Sequence, residues 1–122
     1  MEEIKNEGIK NLVGCAPEEL AEAIAQVLDN KKGNDVKVIK VGDKTIIADY
    51  FVLATGNTNT HVRALADEVE FKIGECGVEP QRHEGKQGNG WRVLDYASVI
   101  VHVFDREARE FYKLDKLYTD FE

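Results

Sequence analysis

The stretch Trp91-Arg-Val-Leu-Asp-Tyr-Ala-Ser-Val-Ile-Val-His-Val-Phe104 decides the fold of this chain. Two apolar runs meet in it at a short Asp-Tyr-Ala-Ser step, which predicts a β-hairpin. Residues 99–104 carry hydrophobic side chains on both alternating faces, a pattern typical of a strand covered on both sides, so we expect the central strand of a sheet. Residues 91–96 mix Trp, Arg and Asp with Val and Leu, and we expect a partly buried strand nearer an edge that faces a partner.

Helical and strand patterns alternate on the N-terminal side of this hairpin. A helix is predicted to begin at Pro17, because proline lacks the N–H that a first turn would leave unpaired, and to end at Gly33. A strand is predicted over residues 36–41, resuming at residues 45–47 after a turn, and a second over residues 50–55. A polar turn then leads into an amphipathic helix with the apolar residues Val62, Leu65, Ala66, Val69 and Ile73.

The remaining segments complete an α/β pattern. Residues 78–83 favour a brief strand or an extended segment, and residues 84–90, with three glycines, favour a mobile loop. Asp105 is a candidate N-cap for a final helix. The order α, β, β, α, β, β, β, α predicts a mixed β-sheet packed by α-helices in an α/β sandwich. We expect a single domain over residues 16–122, preceded by a loose leader over residues 1–15.

The charge of the chain limits its partners. With 23 acidic and 16 basic residues, the formal net charge is −7. This argues against direct binding to nucleic acid, which needs Lys and Arg to displace counterions, so a partner within a nucleoprotein is expected to be its basic protein. No apolar run is long enough to span a membrane and no signal peptide is evident, so we expect a cytoplasmic protein without membrane association. Cys15 and Cys76 are expected to be free thiols.

The turn at Gly56 and Asn57, which enters a helix, is the feature most typical of phosphate binding. It suggests nucleotidyltransferase chemistry, but such enzymes need paired carboxylates that converge on divalent ions. Glu68 and Glu70 stand two positions apart on a helix and therefore point to different faces. The turn also matches neither of the glycine-rich phosphate-binding motifs. We favour a structural turn and keep a nucleotidyltransferase-like, nucleotide-binding enzyme as the alternative.

The histidines carry no sign of a metal site. His61, His83 and His102 lack metal-ligand spacing, and we expect neither a metal nor a cofactor. His102 could act as a general base, but a histidine in a central strand is more often held by hydrogen bonds within the core. Asp95 is expected to form a turn rather than to act as an acid or a base. The sequence therefore gives no catalytic residue that we would name.

Trp91 and Tyr96 are stronger candidates, as recognition residues, because aromatic side chains dominate interface hot spots. The alternative is core packing. On a two-residue period Trp91 shares one face with Val93 and Asp95, whereas Tyr96 lies on the other face. Both aromatic side chains thus cannot be buried on the same side, and one of them is expected to be exposed.

A series of short motifs runs through the chain: Ala48-Asp49-Tyr50-Phe51-Val52 with Ala54-Thr55-Gly56, His61-Val62, Glu84-Gly85, Trp91-x-x-x-Asp95-Tyr96, Val99-Ile100-Val101-His102-Val103-Phe104 and Arg109-x-Phe111-Tyr112-x-Leu114-x-x-Leu117. In this order and spacing they resemble the ribosomal silencing factor family, also called the Iojap-related family. Ala97 and Ser98 depart from the Gly-Asp usual in that family. A residue with a Cβ is costly there if the backbone needs a positive φ.

The resemblance implies a protein that is not an enzyme and has a nucleotidyltransferase-like sandwich without the catalytic carboxylates. It implies docking on the large ribosomal subunit through its fourteenth protein, a block to joining of the small subunit, and less translation when nutrients are scarce. The contact surface would comprise Trp91, Asp95, Tyr96 and Phe104. The resemblance also implies a homodimer, and a generic interaction module that dimerises near Trp91 is a third interpretation.

Overall fold

In the part of the chain that the structure describes, five strands form one mixed sheet and three helices accompany it. The structure, a computed structural model, describes residues 11–86 and 90–112. The helices are α1 (Pro17–Asn30), α2 (Asn59–Glu75) and α3 (Arg106–Tyr112), and the strands are β1 (Asn34–Lys40), β2 (Tyr50–Gly56), β3 (Arg82–Lys86), β4 (Trp91–Asp95) and β5 (Val99–Asp105). The strand order is β1-β2-β5-β4-β3. The predicted α/β class and the predicted order of elements are confirmed.

The hairpin of β4 and β5 lies in the middle of this sheet. Strand β5 pairs in parallel with β2 and antiparallel with β4, and all its residues except the last are buried. The prediction of a central strand is therefore confirmed. Strand β4 is second from the edge, because β3 pairs with its far side.

The two faces of β5 support two separate hydrophobic clusters. Val99, Val101 and Val103 pack with α1 and α2, and we call this side of the sheet the helix face. The alternate residues of β5 point to the other side, where Ile100 and Phe104 pack with Ile39, Val41, Ala48, Phe51 and Leu53. We call this side the aromatic face. Hydrophobic side chains on both faces are thus what the central position requires.

Local signals define the ends of the helices. Pro17 opens α1, as predicted, and Glu18 and Glu19 lie in its first turn, where they oppose the positive end of the helix dipole. The Thr58 side chain caps α2 by accepting a hydrogen bond from the backbone N–H of His61. The Asp105 carboxylate accepts one from the backbone N–H of Ala108 at 2.7 Å, which confirms it as the N-cap of α3. Within the described residues, no helix combines the length and the apolarity needed to cross a membrane.

Three expectations require correction. Residues 45–47 form no strand, and Ile46 and Ile47 are exposed in a connection that Val41 and Asp49 close with a backbone hydrogen bond. Residues 84–86, expected in a mobile loop, belong to β3 because β4 supplies their hydrogen-bond partners; residues 87–89 lie outside the described residues. Leu12, which was expected in the loose leader, is buried in the core. Residues 1–10 and the closing motif at residues 113–118 lie outside the described residues.

The turn between β4 and β5 holds a backbone conformation that disfavours its own residue. Ala97 has a φ of +74°, in the left-handed region, where a side chain with a Cβ costs roughly 1–2 kcal/mol. This is the position at which the resemblance described above implies a glycine. The Asp95 side chain compensates in part, because its Oδ1 accepts a hydrogen bond from the Ala97 N–H at 2.8 Å.

We predict that Ala97→Gly raises the free energy of unfolding by about 0.5–1 kcal/mol, since relief of the strain exceeds the gain in entropy of the unfolded chain. Urea denaturation followed by circular dichroism measures the change. The matched control is Ala64→Gly, at a position inside α2, which is expected to lower the same free energy by about 1 kcal/mol. Equal losses of stability in the two variants would contradict the account of the turn.

Candidate functional site

The alternation of side chains along β4 separates the four predicted contact residues. Trp91 lies opposite Phe104 and Asp95 lies opposite Ile100 on the neighbouring strand, so these residues share the aromatic face. Tyr96 packs instead in the cluster beneath α1 and α2. The predicted separation of Trp91 and Tyr96 onto opposite faces is confirmed. The structure therefore brings three of the four residues to one side of the sheet and leaves the fourth on the other.

Trp91 is partly buried and lies against a layer of aromatic rings. Its ring centroid is 5.1 Å from that of Phe104 and 5.9 Å from that of His102. Phe51 contacts His102 edge-on at 4.9 Å. Offset and edge-to-face contacts at these distances are favourable, and each holds the next ring in place. Phe104 itself is fully buried, so it supports Trp91 from beneath and offers no contact area of its own.

His102 fixes the orientation of the Trp91 indole. The Nε1–H of Trp91 donates a hydrogen bond to Nδ1 of His102 at 3.2 Å. A nitrogen that accepts a hydrogen bond carries no proton, so this geometry requires the neutral imidazole with its proton on Nε2. His102 is buried and hydrogen-bonded within the core, as expected from its place in a central strand. The indole is thus positioned by one directional bond as well as by ring packing.

Asp95 has a structural role at the other end of β4. Its carboxylate accepts the hydrogen bond from Ala97 that closes the turn, which confirms the prediction that it forms a turn. The residue is half-buried, so part of its surface stays accessible beside the turn. Loss of the carboxylate would therefore loosen the turn as well as remove a charge from the surface.

Tyr96 offers almost no surface. Its side chain is 6% exposed, and within residues 11–86 and 90–112 its buried hydroxyl has no hydrogen-bond partner. Burial raises the pKa of this hydroxyl well above its ordinary value of 10.0, and the charges of Glu70 and Glu79 raise it further. The expectation that Tyr96 contributes contact area beside Trp91 does not fit this position, because the residue packs beneath the helices.

The turn at Gly56 and Asn57 was the alternative site for phosphate. The polar groups of Asn57 form hydrogen bonds within the chain instead. The backbone N–H of Asn57 donates to Nδ1 of His61 at 2.9 Å, and the side chain of Asn57 accepts from that of Asn34 at 2.8 Å. Gly56 is required by packing, since a Cβ there would lie 2.8 Å from the backbone nitrogen of Val62. The turn thus serves the entry into α2, and the donors named here do not point at an open anion site.

The acidic residues near this turn do not converge. Glu68 lies 3.9 Å from Nζ of Lys31, whereas Glu70 contacts Nδ1 of His83 at 2.6 Å. They thus point to different elements, as their spacing on the helix predicts. Among the residues that the structure describes, no group of three His, Cys, Asp or Glu side chains could hold a metal ion. This geometry gives the nucleotidyltransferase alternative no support.

The contacts of His83 were not predictable from the sequence. Its Nδ1 contacts Glu70 on α2, and Nη1 of Arg92 lies 3.4 Å from its Nε2. Both contacts depend on the pairing of β3 with β4, and β3 reads Arg-His-Glu-Gly-Lys without an apolar pattern. The polar link ties the edge of the sheet to α2.

The fold and this site together define an α/β protein that presents one preorganised tryptophan at the rim of a buried aromatic layer. Residues 15–122 match the family described as "Ribosomal silencing factor during starvation". The chain belongs to this family, which confirms the resemblance of its motifs. Membership assigns the general role of a ribosomal silencing factor, and the family is named as a factor rather than as an enzyme.

Individual relatives agree with this assignment. The chain is 34% identical over 103 residues to a "Ribosomal silencing factor RsfS" of Halalkalibacterium halodurans, covering 84% of this chain and 88% of that protein. It is 30% identical over 99 residues to the mouse "Mitochondrial assembly of ribosomal large subunit protein 1", covering 79% and 43% of the two chains. A crystal structure of a Chromobacterium violaceum protein is similar, with a TM-score of 0.80 at 29% identity, covering 84% of this chain and 86% of that one.

We predict that Tyr96→Phe is at least as stable as the natural protein at pH 7, by up to about 1 kcal/mol, because the change removes a buried hydroxyl without a partner. The raised pKa adds a second signature. The folded state keeps the Tyr96 proton while the unfolded chain releases it above pH 10, so the natural protein loses stability as the pH rises through 10.

Urea denaturation at pH 7 and at pH 10.5 to 11, within roughly one unit of the ordinary tyrosine pKa, measures both effects. Tyr96→Phe is expected to lose less stability over this range than the natural protein. The equivalent change at the partly exposed Tyr50 is the control for the loss of a tyrosine hydroxyl outside the core. A marked loss of stability in Tyr96→Phe at pH 7 would show that its hydroxyl has a partner.

Proposed function

We propose that this protein docks on the large ribosomal subunit through the surface around Trp91, with the fourteenth large-subunit protein as its contact, and thereby blocks joining of the small subunit when nutrients are scarce. The protein acts sterically, without catalysis, in the cytoplasm. Family membership supports the general role, and the printed name of the mouse relative refers to the large subunit. The observation that carries the choice of surface is the held indole of Trp91.

Preorganisation is why Trp91 suits an anchor. Binding orders side chains, and this costs roughly 0.5–1.5 kcal/mol for each flexible side chain that is immobilised. The hydrogen bond to His102 and the contacts with Phe104 already hold the indole. Asp95 provides a carboxylate farther along the same face, and the net charge of −7 complements a basic ribosomal protein. In this proposal Phe104 acts by supporting Trp91, and Tyr96 acts by holding β4 against the helices.

We predict that Trp91→Ala weakens binding to purified large subunits by about 30-fold or more, since truncation of a central tryptophan typically costs at least about 2 kcal/mol. Co-sedimentation over a concentration series measures the affinity. The variant also loses packing, so the control is Val27→Ala, which truncates a partly buried residue of α1 on the helix face. Val27→Ala is expected to bind normally. Normal binding by a folded Trp91→Ala protein would remove the proposed anchor.

We further propose that the protein forms a homodimer through the connection between β1 and β2. Ile46 and Ile47 expose their apolar side chains there, and β1, which among the described strands pairs with β2 alone, is the edge strand of that sheet. Exposed apolar side chains next to an unpaired strand edge are typical of surfaces that associate. This surface would leave Trp91 accessible, because Trp91 lies at the opposite end of the hairpin from the start of β2.

Light scattering tests this assembly. We expect the natural protein to be a dimer and the double variant Ile46→Asp with Ile47→Asp to be a monomer, because two carboxylates would oppose each other across the contact. The control, Gln26→Glu with Asn30→Asp, adds the same charge at exposed positions of α1 and is expected to stay dimeric. A natural protein that remains monomeric at high concentration would rule out the dimer.

A further inference from the structure

We propose that α2 carries a docking groove for an arginine- or lysine-bearing segment of a basic protein, on the side of the sheet opposite Trp91. The groove is lined by Asp67, Glu70, Phe71, Gly74, Glu75 and Glu79 and has a volume of about 480 Å³. We call it the acidic groove. Because α2 packs on the helix face and Trp91 on the aromatic face, the acidic groove is separate from the surface proposed for the large subunit.

Helical spacing produces the acidic groove. Residues 70 and 71 stand three and four positions after residue 67, and residue 74 stands four and three positions after them, so the four residues form one stripe along α2. The buried stripe that packs on the sheet consists of Val62, Leu65, Ala66, Val69 and Ile73. The first stripe therefore borders the core and stays open to solvent, and the chain returns beside it through Glu79. Gly74 leaves room between the two segments, since a Cβ there would lie 3.1 Å from Oε2 of Glu79.

An exposed aromatic ring lies among the carboxylates. The side chain of Phe71 is 60% exposed, although burial of a phenylalanine would be worth about 1.5–3 kcal/mol. Nζ of Lys72 lies 5.9 Å from the centre of this ring, so one cation already approaches it. An aromatic ring next to carboxylates suits arginine in particular, because a guanidinium can stack on the ring and donate hydrogen bonds to a carboxylate at the same time.

The carboxylates of the groove are available to a cation. Within the described part of the chain, the side chains of Asp67, Glu75 and Glu79 form no ion pair or hydrogen bond. Glu70 is held by Nδ1 of His83 at 2.6 Å, which fixes one wall. Several carboxylates close together repel one another, and a cationic occupant would relieve that repulsion.

The hydroxyl of Tyr96 adds an independent observation. It is buried, lacks a hydrogen-bond partner among the described residues, and lies within electrostatic reach of Glu70 and Glu79, whose charges act on it. Buried polar groups are usually hydrogen-bonded, and this hydroxyl is an exception. Glu70 and Glu79, which both line the groove, thus act together on one group and would act together on a bound cation.

Charge complementarity selects the occupant. A second copy of this chain, with its net charge of −7, would in a symmetric contact place carboxylates against carboxylates. Nucleic acid would be repelled for the same reason. A segment of a basic protein that presents Arg or Lys next to an apolar side chain matches both the carboxylates and the ring of Phe71.

The test uses the full chain, labelled with ¹⁵N, and the acetylated, amidated peptide Gly-Arg-Arg-Leu-Arg-Arg-Gly. We expect chemical-shift changes concentrated at residues 67–79, with saturation that fits one site. The double variant Phe71→Ala with Glu75→Gln is expected to weaken binding at least fivefold. Its control, Val27→Ala with Glu22→Gln, shortens one apolar side chain and removes one charge on α1, outside the groove, and is expected to bind as the natural protein does.

Two results would overturn the proposal. One is the absence of saturable binding. The other is a set of shift changes spread over all exposed carboxylates, with both double variants weakened alike, since this would indicate only general attraction to an acidic protein. Neither result bears on binding to the large subunit, because the peptide experiment contains no ribosome and leaves Trp91 unchanged.

Discussion

The pairing of β5 with β2 on one side and β4 on the other is the interaction on which the rest of this structure depends. Strand β5 is buried on both faces, so each face must be covered by a different set of side chains. Its valines pack against the two long helices, whereas Phe104 and His102 pack within the aromatic layer on the other face. A polar substitution in β5 would therefore disturb both clusters at once.

This constraint also determines what the surface can offer. Pairing with β5 fixes the register of β4. In this register Trp91 lies opposite Phe104, and Tyr96, which follows β4, lies beneath the helices. The hydrogen bond from Trp91 to His102 then fixes the orientation of the packed Trp91 indole. His102 could be taken from the sequence for a general base, but its contacts explain it as the residue that positions Trp91. Phe104 and His102 of the buried strand thus hold Trp91 in the recognition surface that we propose.

Much of the fold follows from the sequence because its main elements have strong periodic patterns. The double-sided pattern of residues 99–104 predicts a central strand, and the spacing of Leu65, Val69 and their neighbours predicts α2. Strand β3 has no such pattern, since its conformation comes from pairing with β4. Residues 45–47 are the opposite case. Their apolar run predicts a strand, but the chain forms an exposed connection there. Periodicity alone cannot tell a covered position from an exposed one at Ile46 or Ile47.

The candidate site was predictable to a smaller extent. Alternation placed Trp91 and Tyr96 on opposite faces, but which face the helices cover is a tertiary property, so the burial of Tyr96 could not be derived. The burial of Phe104 follows from its central strand and argues against direct contact. Ala97 has a positive φ, so the strain expected of a residue with a Cβ at this position is present.

The central claim is that Trp91 meets the large ribosomal subunit, and hydroxyl-radical footprinting tests it most directly. Trp91 is the only tryptophan of the chain and tryptophan reacts readily, so its rate of oxidation can be followed by mass spectrometry with and without purified large subunits. We expect bound subunits to protect Trp91 while Phe71, on the other side of the sheet, stays as reactive as in the free protein. Unchanged oxidation of Trp91 in a complex that protects other residues would contradict it.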